Sequence, residues 1–226
     1  MKSSSTRNGI EPKYFGVGLN ALMLIRQILH ARRLHPETIL DLPSGFGRVT
    51  RFLRAAYPNA TIYASDVNIH ATRFCANFGA HQLPTAGGFD DIGQAIPTQV
   101  DLVWTGSLIT HLPMFLTLKF FDLLSRILGR NGLAIVTNHG EGVARRLSSD
   151  CRYGLKEVEA VNVVLQGYKQ NGYGYHDYPG RQDYGVACIS NEWLRAAAAR
   201  NRLMVAEIRQ EEWAGQDAVV ICQHQD

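Results

Sequence analysis

The chain has no apolar run approaching the ~20 residues that a membrane-spanning helix requires, which argues against a transmembrane protein. Residues 1–13 are polar and rich in serine, without the apolar core of a secretory leader. Residues 1–15 read as a disordered tail. Cysteine is sparse: Cys75, Cys151, Cys188 and Cys222 stand far apart with no Cys-x-x-Cys pair. That pattern disfavours a zinc site and fits a reduced, cytoplasmic location. Charge is low as well, at 19% of residues with a net charge of +3, and the tightest basic clusters are the pairs Arg32-Arg33 and Arg145-Arg146. No nucleic-acid partner is expected from so small a field. There is no Gly-x-x-x-x-Gly-Lys-Ser/Thr phosphate loop, and the absence of a visible metal-ligand cluster disfavours a magnesium-dependent catechol-type reaction. No internal repeat or second core is visible. Residues 16–226 therefore read as a single domain, with an insertion at about 140–190.

What is present begins with Ile39-Leu40-Asp41-Leu42-Pro43-Ser44-Gly45-Phe46-Gly47. A short buried strand ends in a glycine turn, and Val49, Phe52 and Leu53 then recur at helical spacing. A second apolar run, Thr61–Ser65, leads to Asp66, 19 residues past Gly47, where nucleotide-binding α/β units place a carboxylate on ribose hydroxyls. Asp66 also suits a helix N-cap. Only two glycines of the dinucleotide fingerprint are present, since Thr50 occupies the third position. An acid within the first strand suits an ammonium group better than a pyrophosphate.

Asp-x-x-x-Gly-x-Gly with a downstream Asp resembles motif I and the ribose acid of class I S-adenosylmethionine-dependent methyltransferases. The resemblance implies an α/β fold, a Rossmann-like three-layer sandwich with a mostly parallel seven-stranded sheet and an antiparallel last strand. It implies S-adenosylmethionine as cofactor and in-line methyl transfer to a small-molecule or glycan-type acceptor. It also implies that Asp41, Gly45 and Gly47 hold the methionine moiety, that Pro43 and Ser44 belong to the same cofactor-binding turn, that Asp66 holds the ribose, and that Val67, Leu83 and Pro84 hold the adenine. A non-catalytic binding module of the same fold and an NAD(P)-binding oxidoreductase stand as alternatives.

The remaining pattern predicts a helix over 17–34, a strand over 80–83, a loop with at most a turn of helix over 85–98, a strand over 100–104 and a helix from Pro113 to Leu128. A strand over 133–137, a helix over 155–169, an extended segment over 184–189 and a helix over 192–201 follow. Two strands, 203–209 and 218–222, close the chain around a loop at 210–217. Ligands in such sheets bind outside the carboxyl ends of the strands. Gly106 and Ser107 follow the fourth strand, in a Gly-Ser-Leu-x-Thr-His-Leu segment that resembles bacterial methyltransferases. His111, His139 and His176 are the candidate proton acceptors, while Thr110 and Glu141 equally suit helix starts. Tyr173, Tyr175, Tyr178 and Tyr184, in a glycine-interleaved stretch, read as a mobile substrate wall, joined by Trp213, Gln216 and Asp217 of the last loop.

Overall fold

The computed structural model describes residues 10–84, 88–149 and 152–224. The first helix, α1 (Ile10–Ala31), precedes β1 (Thr38–Asp41), α2 (Thr50–Ala56), β2 (Thr61–Ala64), α3 (Ile69–Cys75) and β3 (His81–Gln82). Next come α4 (Phe89–Ala95), β4 (Val100–Thr105), α5 (Met114–Ile127) and β5 (Leu128–Asn138). An α6 (Glu141–Ser149), α7 (Val158–Asn171), β6 (Tyr173–Asp177) and β7 (Gly185–Ile189) lead to α8 (Asn191–Arg200), β8 (Leu203–Trp213) and β9 (Gln216–Gln223). The main sheet runs β3-β2-β1-β4-β5-β9-β8. Its first five strands pair parallel, and β9 inserts antiparallel between β5 and β8. This is the expected Rossmann-like sandwich.

The central strands are continuous apolar runs because both faces are covered. Ile39, Leu102 and Ile135 face a core shared with Ile25 and Ile28 of α1 and Leu53 of α2, whereas Leu40, Val103 and Ala134 face Phe120, Phe121 and Leu124 of α5. Leu42 and Pro43 end β1, since proline cannot donate to a ladder. Gly45 (φ +50) and Gly47 (φ +69) turn the chain into α2. A Cβ at Gly47 would lie 2.8 Å from the Phe78 ring, so this glycine serves close packing of the turn on the segment after α3.

Several local expectations change. Residues 10–15, expected in a disordered tail, are helical. Arg48 and Arg51 lie over the Tyr14 ring and Trp213 Nε1 donates to the Val17 carbonyl at 3.0 Å, which fixes the first turns of α1. Residues 1–9 lie outside the described residues. The expected loop at 85–98 contains α4, because Ile92 is buried and Arg126 pairs with Asp90 at 3.0 Å; 85–87 lie outside the described residues. The expected loop at 210–217 shrinks to a turn at Ala214 and Gly215, both with positive φ, which matches the twist of a tight hairpin.

The largest change falls in the insertion. The tyrosine-rich stretch is not a loose loop: Tyr173–Asp177 is strand β6, paired antiparallel with β7. With α6 and α7 it encloses its own small core, including Val143, Leu147, Val164 and Val186. Gly174 explains both the strand and its disguise, since a Cβ there would collide with the Val164 carbonyl of α7. Gly174→Ala is therefore expected to cost about 3 kcal/mol, at the upper end of ordinary overpacking. Urea unfolding followed by tryptophan fluorescence checks this; an unchanged midpoint would show that the helix can back away from the strand.

Candidate functional site

Two adjoining cavities open at the carboxyl ends of β1, β2 and β4. The smaller, about 350 Å³, is lined by residues that include Ser44, Gly45, Trp104, Gly106 and Trp213. The larger, about 500 Å³, is walled by Val67, Phe89, Ile92, Leu108 and Leu112 among others. Pro43, Asp66, Ser107, His111 and Tyr184 line both and so mark the junction.

Asp66 is held by the backbone on either side of it: the Gly45 amide donates to one carboxylate oxygen at 2.9 Å and the Asn68 amide to the other at 2.8 Å. The turn after β1 is thus tied to the end of β2 through the acid that sequence spacing singled out. A Cβ at Gly45 would meet nothing within 4 Å, so the glycine leaves bare backbone on the floor of the smaller cavity. Ser107 adopts φ +56, donates its amide to Thr137 Oγ1 at 2.7 Å, and accepts at its hydroxyl from Gln216 Nε2 at 2.8 Å. The β4 loop is thereby fixed from β5 and β9.

His111 Nδ1 lies 2.8 Å from the Gly185 carbonyl at the start of β7. A carbonyl only accepts, so Nδ1 carries the proton and Nε2 keeps its lone pair. The Tyr178 hydroxyl, 3.3 Å from Nδ1, donates to the Tyr153 carbonyl, and the rings of Tyr178 and Tyr184 flank the imidazole at 5.9 and 5.2 Å. Burial holds the His111 pKa below its ordinary value of 6.5 despite the carbonyl's opposing effect. The ring is therefore neutral at pH 7 with one nitrogen able to take a proton.

The structure separates the remaining candidates. His139 is buried behind His111, bonded to the Ala187 carbonyl at 3.1 Å, and lines neither cavity. Burial, then repulsion from His111, pushes its pKa down to about 3. His176 on β6 bonds the Asp177 carbonyl at 2.8 Å and also lines neither cavity. Tyr173 donates to the Leu112 carbonyl at 2.9 Å and contacts Thr117, which makes it a core residue. Tyr175 bonds Asp177 within the insertion. Asp41 is 1% exposed, accepts from Thr50 Oγ1 at 2.6 Å and, like Gly47 and Leu83, stands outside both cavities.

Tyr14, Phe46, Arg48 and Trp104 also line the smaller cavity, and none was singled out by sequence. Trp104 packs edge-on against Trp213 at 5.3 Å. Their spacing carries no signal, since α1, the turn, β4 and the β8 terminus meet only in space. Phe89 and Asp90 of the larger cavity were hidden by the glycine-rich stretch read as loop.

No family model matches the sequence, and no curated protein sequence does. Solved structures do match. A Clostridium acetobutylicum S-adenosylmethionine-dependent methyltransferase superposes with a TM-score of 0.63 at 14% identity, covering 91% of this chain and 92% of that one. An O-methyltransferase of Nostoc punctiforme, itself described as putative, superposes with a TM-score of 0.58 at 13% identity over 98% of this chain and 63% of that one. An O-methyltransferase of neocarzinostatin biosynthesis, crystallised with S-adenosylmethionine and a naphthoic acid, gives 0.55 at 11% identity over 83% of this chain. The chain spans nearly all of the first structure's length, under two thirds of the second's and 49% of the third's. Strand order, the inserted antiparallel β9 and these superpositions together establish that the chain has the fold of the class I S-adenosylmethionine-dependent methyltransferases.

Proposed function

We propose that the chain transfers a methyl group from S-adenosylmethionine to a hydroxyl or amine of a small-molecule or glycan-type acceptor. The observation that carries this reading is the pair of cavities meeting at Asp66, one walled for a flat apolar ring and one floored by the bare backbone of Gly45. The residues fit the cofactor. Val67, Phe89 and Leu108 would hold adenine, Asp66 the ribose hydroxyls, and Pro43, Ser44 and Gly45 the methionine arm. The likeness to a structure crystallised with S-adenosylmethionine supports the same assignment.

S-adenosylmethionine supplies an electrophilic methyl group when bound, so the chain need not build a nucleophile of its own. Its residues align and exclude water, and alignment alone can contribute several kcal/mol to catalysis. Gly106 and Ser107 form the wall nearest the junction, Trp213 and Tyr184 narrow the acceptor's approach, and His111 Nε2 takes the acceptor's proton. Tyr178 acts on the acceptor only through His111.

Calorimetric titration with S-adenosylhomocysteine tests the cofactor site. Wild type is expected to bind with micromolar affinity. Asp66→Ala and Asp66→Asn are expected to bind at least ~100-fold more weakly, since each charged hydrogen bond contributes about 1.5–3 kcal/mol. Circular dichroism checks that the variants fold. No heat from wild type at millimolar ligand would remove the enzyme reading and leave a binding module of the same fold.

A further inference from the structure

The outer face of α1 carries Phe15, Leu19 and Met23, spaced four residues apart and therefore aligned along the helix. They are 44%, 45% and 52% exposed. The face continues over the turn into α2. Tyr14 meets Phe15 edge-on at 5.5 Å, Arg51 lies over the rings of Tyr14, Phe15 and Phe78, and the rings of Phe78, Phe74 and Phe46 follow at 5.7 and 5.9 Å. Phe46 and Phe74 are exposed as well. Single exposed apolar residues are ordinary, but a connected row marks a surface that something covers.

Charge is segregated onto the same half of the chain. Residues 1–84 hold ten Lys and Arg against four Asp and Glu, a net charge of +6, while residues 85–226 hold thirteen against sixteen, a net charge of −3. Such asymmetry points to an anionic partner. Three of the four acids of the basic half lie away from this face, and the fourth, Glu11, is in the first turn of α1. Asp41 is buried against Thr50, Asp66 sits between the cavities, and Glu37 precedes β1 at the opposite end of the strands. Lys13, Arg26, Arg48 and Arg73 are exposed and make no ion pair among the described residues.

We propose that this face, formed by α1, the entry to α2 and the end of α3, docks on an anionic lipid surface. Aromatic and aliphatic side chains enter the headgroup boundary while Lys and Arg meet the anionic headgroups, the arrangement of an interfacial helix. No helix among the described residues is long and apolar enough to cross a membrane, so the contact is with the surface. A second copy would set like charges opposite one another across a two-fold axis. A nucleic acid would match the cations and leave Phe15, Leu19 and Met23 without partners. Tyr14, Phe46 and Arg48 belong both to this face and to the lining of the smaller cavity, so the cavity mouth opens where the lipid would lie.

Co-sedimentation of the full chain with phosphatidylcholine vesicles, with and without phosphatidylglycerol, tests the proposal without cofactor or acceptor. Wild type is expected to pellet with the anionic vesicles only and to be released by high salt. Combined Phe15→Ser, Leu19→Ser and Met23→Ser should weaken pelleting at least about tenfold, with an unchanged circular dichroism spectrum. Lys13→Glu with Arg26→Glu should weaken it in low salt. Wild type left in the supernatant would overturn the proposal, as would a serine variant that pellets like wild type. Light scattering that shows a dimer abolished by the serine variant would assign the face to a second copy, and displacement from the vesicles by RNA would assign it to nucleic acid.

Discussion

Replacing His111 with Asn is expected to lower methyl-transfer turnover by roughly 10²–10⁴-fold, the range a positioned acid–base group contributes, with S-adenosylhomocysteine affinity nearly unchanged. The Gly185 carbonyl fixes the tautomer, because it can only accept the Nδ1 proton, and leaves Nε2 basic at the junction of the cavities. Among the described residues no carboxylate bonds the ring: Tyr178, Tyr184 and the neutral His139 surround it. Burial lowers the pKa, so the base form is populated below the ordinary 6.5 as well as above it. The wild-type rate should therefore rise with pH along a limb lying below 6.5 and level off above it. That limb should vanish in His111→Asn. Cofactor-product release, followed across a panel of hydroxylated and amine acceptors, reads both quantities. Equal turnover in variant and wild type would show that the acceptor arrives already deprotonated, as a carboxylate does, and would remove the base role.

Asp41→Asn is expected to stabilise the protein above neutral pH by roughly 4 kcal/mol, the equivalent of raising a carboxyl pKa from 3.8 to about 7. Desolvation is the main cause, opposed by the Thr50 hydroxyl and reinforced by the nearby Asp66. The native state holds the Asp41 proton more tightly than the unfolded chain does. Below pH 4 both states are protonated and the group costs nothing. As pH rises from about 4 to about 7 the unfolded chain gains by ionising, so wild-type stability falls, and above 7 the loss is complete. An Asn amide oxygen can still accept from Thr50 Oγ1 while escaping the ionisation. Urea midpoints for both proteins between pH 4 and 8 should diverge over that window. Parallel curves would mean that water or a cation reaches the Asp41 carboxylate.

The first strand, the turn and the acid were legible because each is a local pattern: an apolar run, two glycines, and a carboxylate at a set distance. Gly45 and Asp66 indeed meet, the amide of one bonding the carboxylate of the other. The same pattern does not say what Asp41 and Gly47 face, and neither lines the two cavities. Motif spacing records that a turn is tight, whereas the Thr50 hydroxyl and the Phe78 ring decide which of its members look outward. In the insertion, alternating Tyr and Gly read as a loop because Gly174 is depleted from ordinary strands. Its presence is explained only by the α7 backbone pressed against it.

By itself, the sequence determined an α/β chain whose first βαβ unit holds a glycine turn and an acid at the strand ends. Hydrophobic period and turn chemistry are properties of neighbouring residues, so they survive without knowledge of the rest. The tertiary structure alone decided which of three histidines reaches a cavity, that Tyr14, Trp104 and Trp213 converge on one wall, and that β9 enters between β5 and β8. Those facts depend on strand register and on which side of the sheet each crossover takes. Register and handedness place residues from opposite ends of the chain side by side, and no local spacing encodes that.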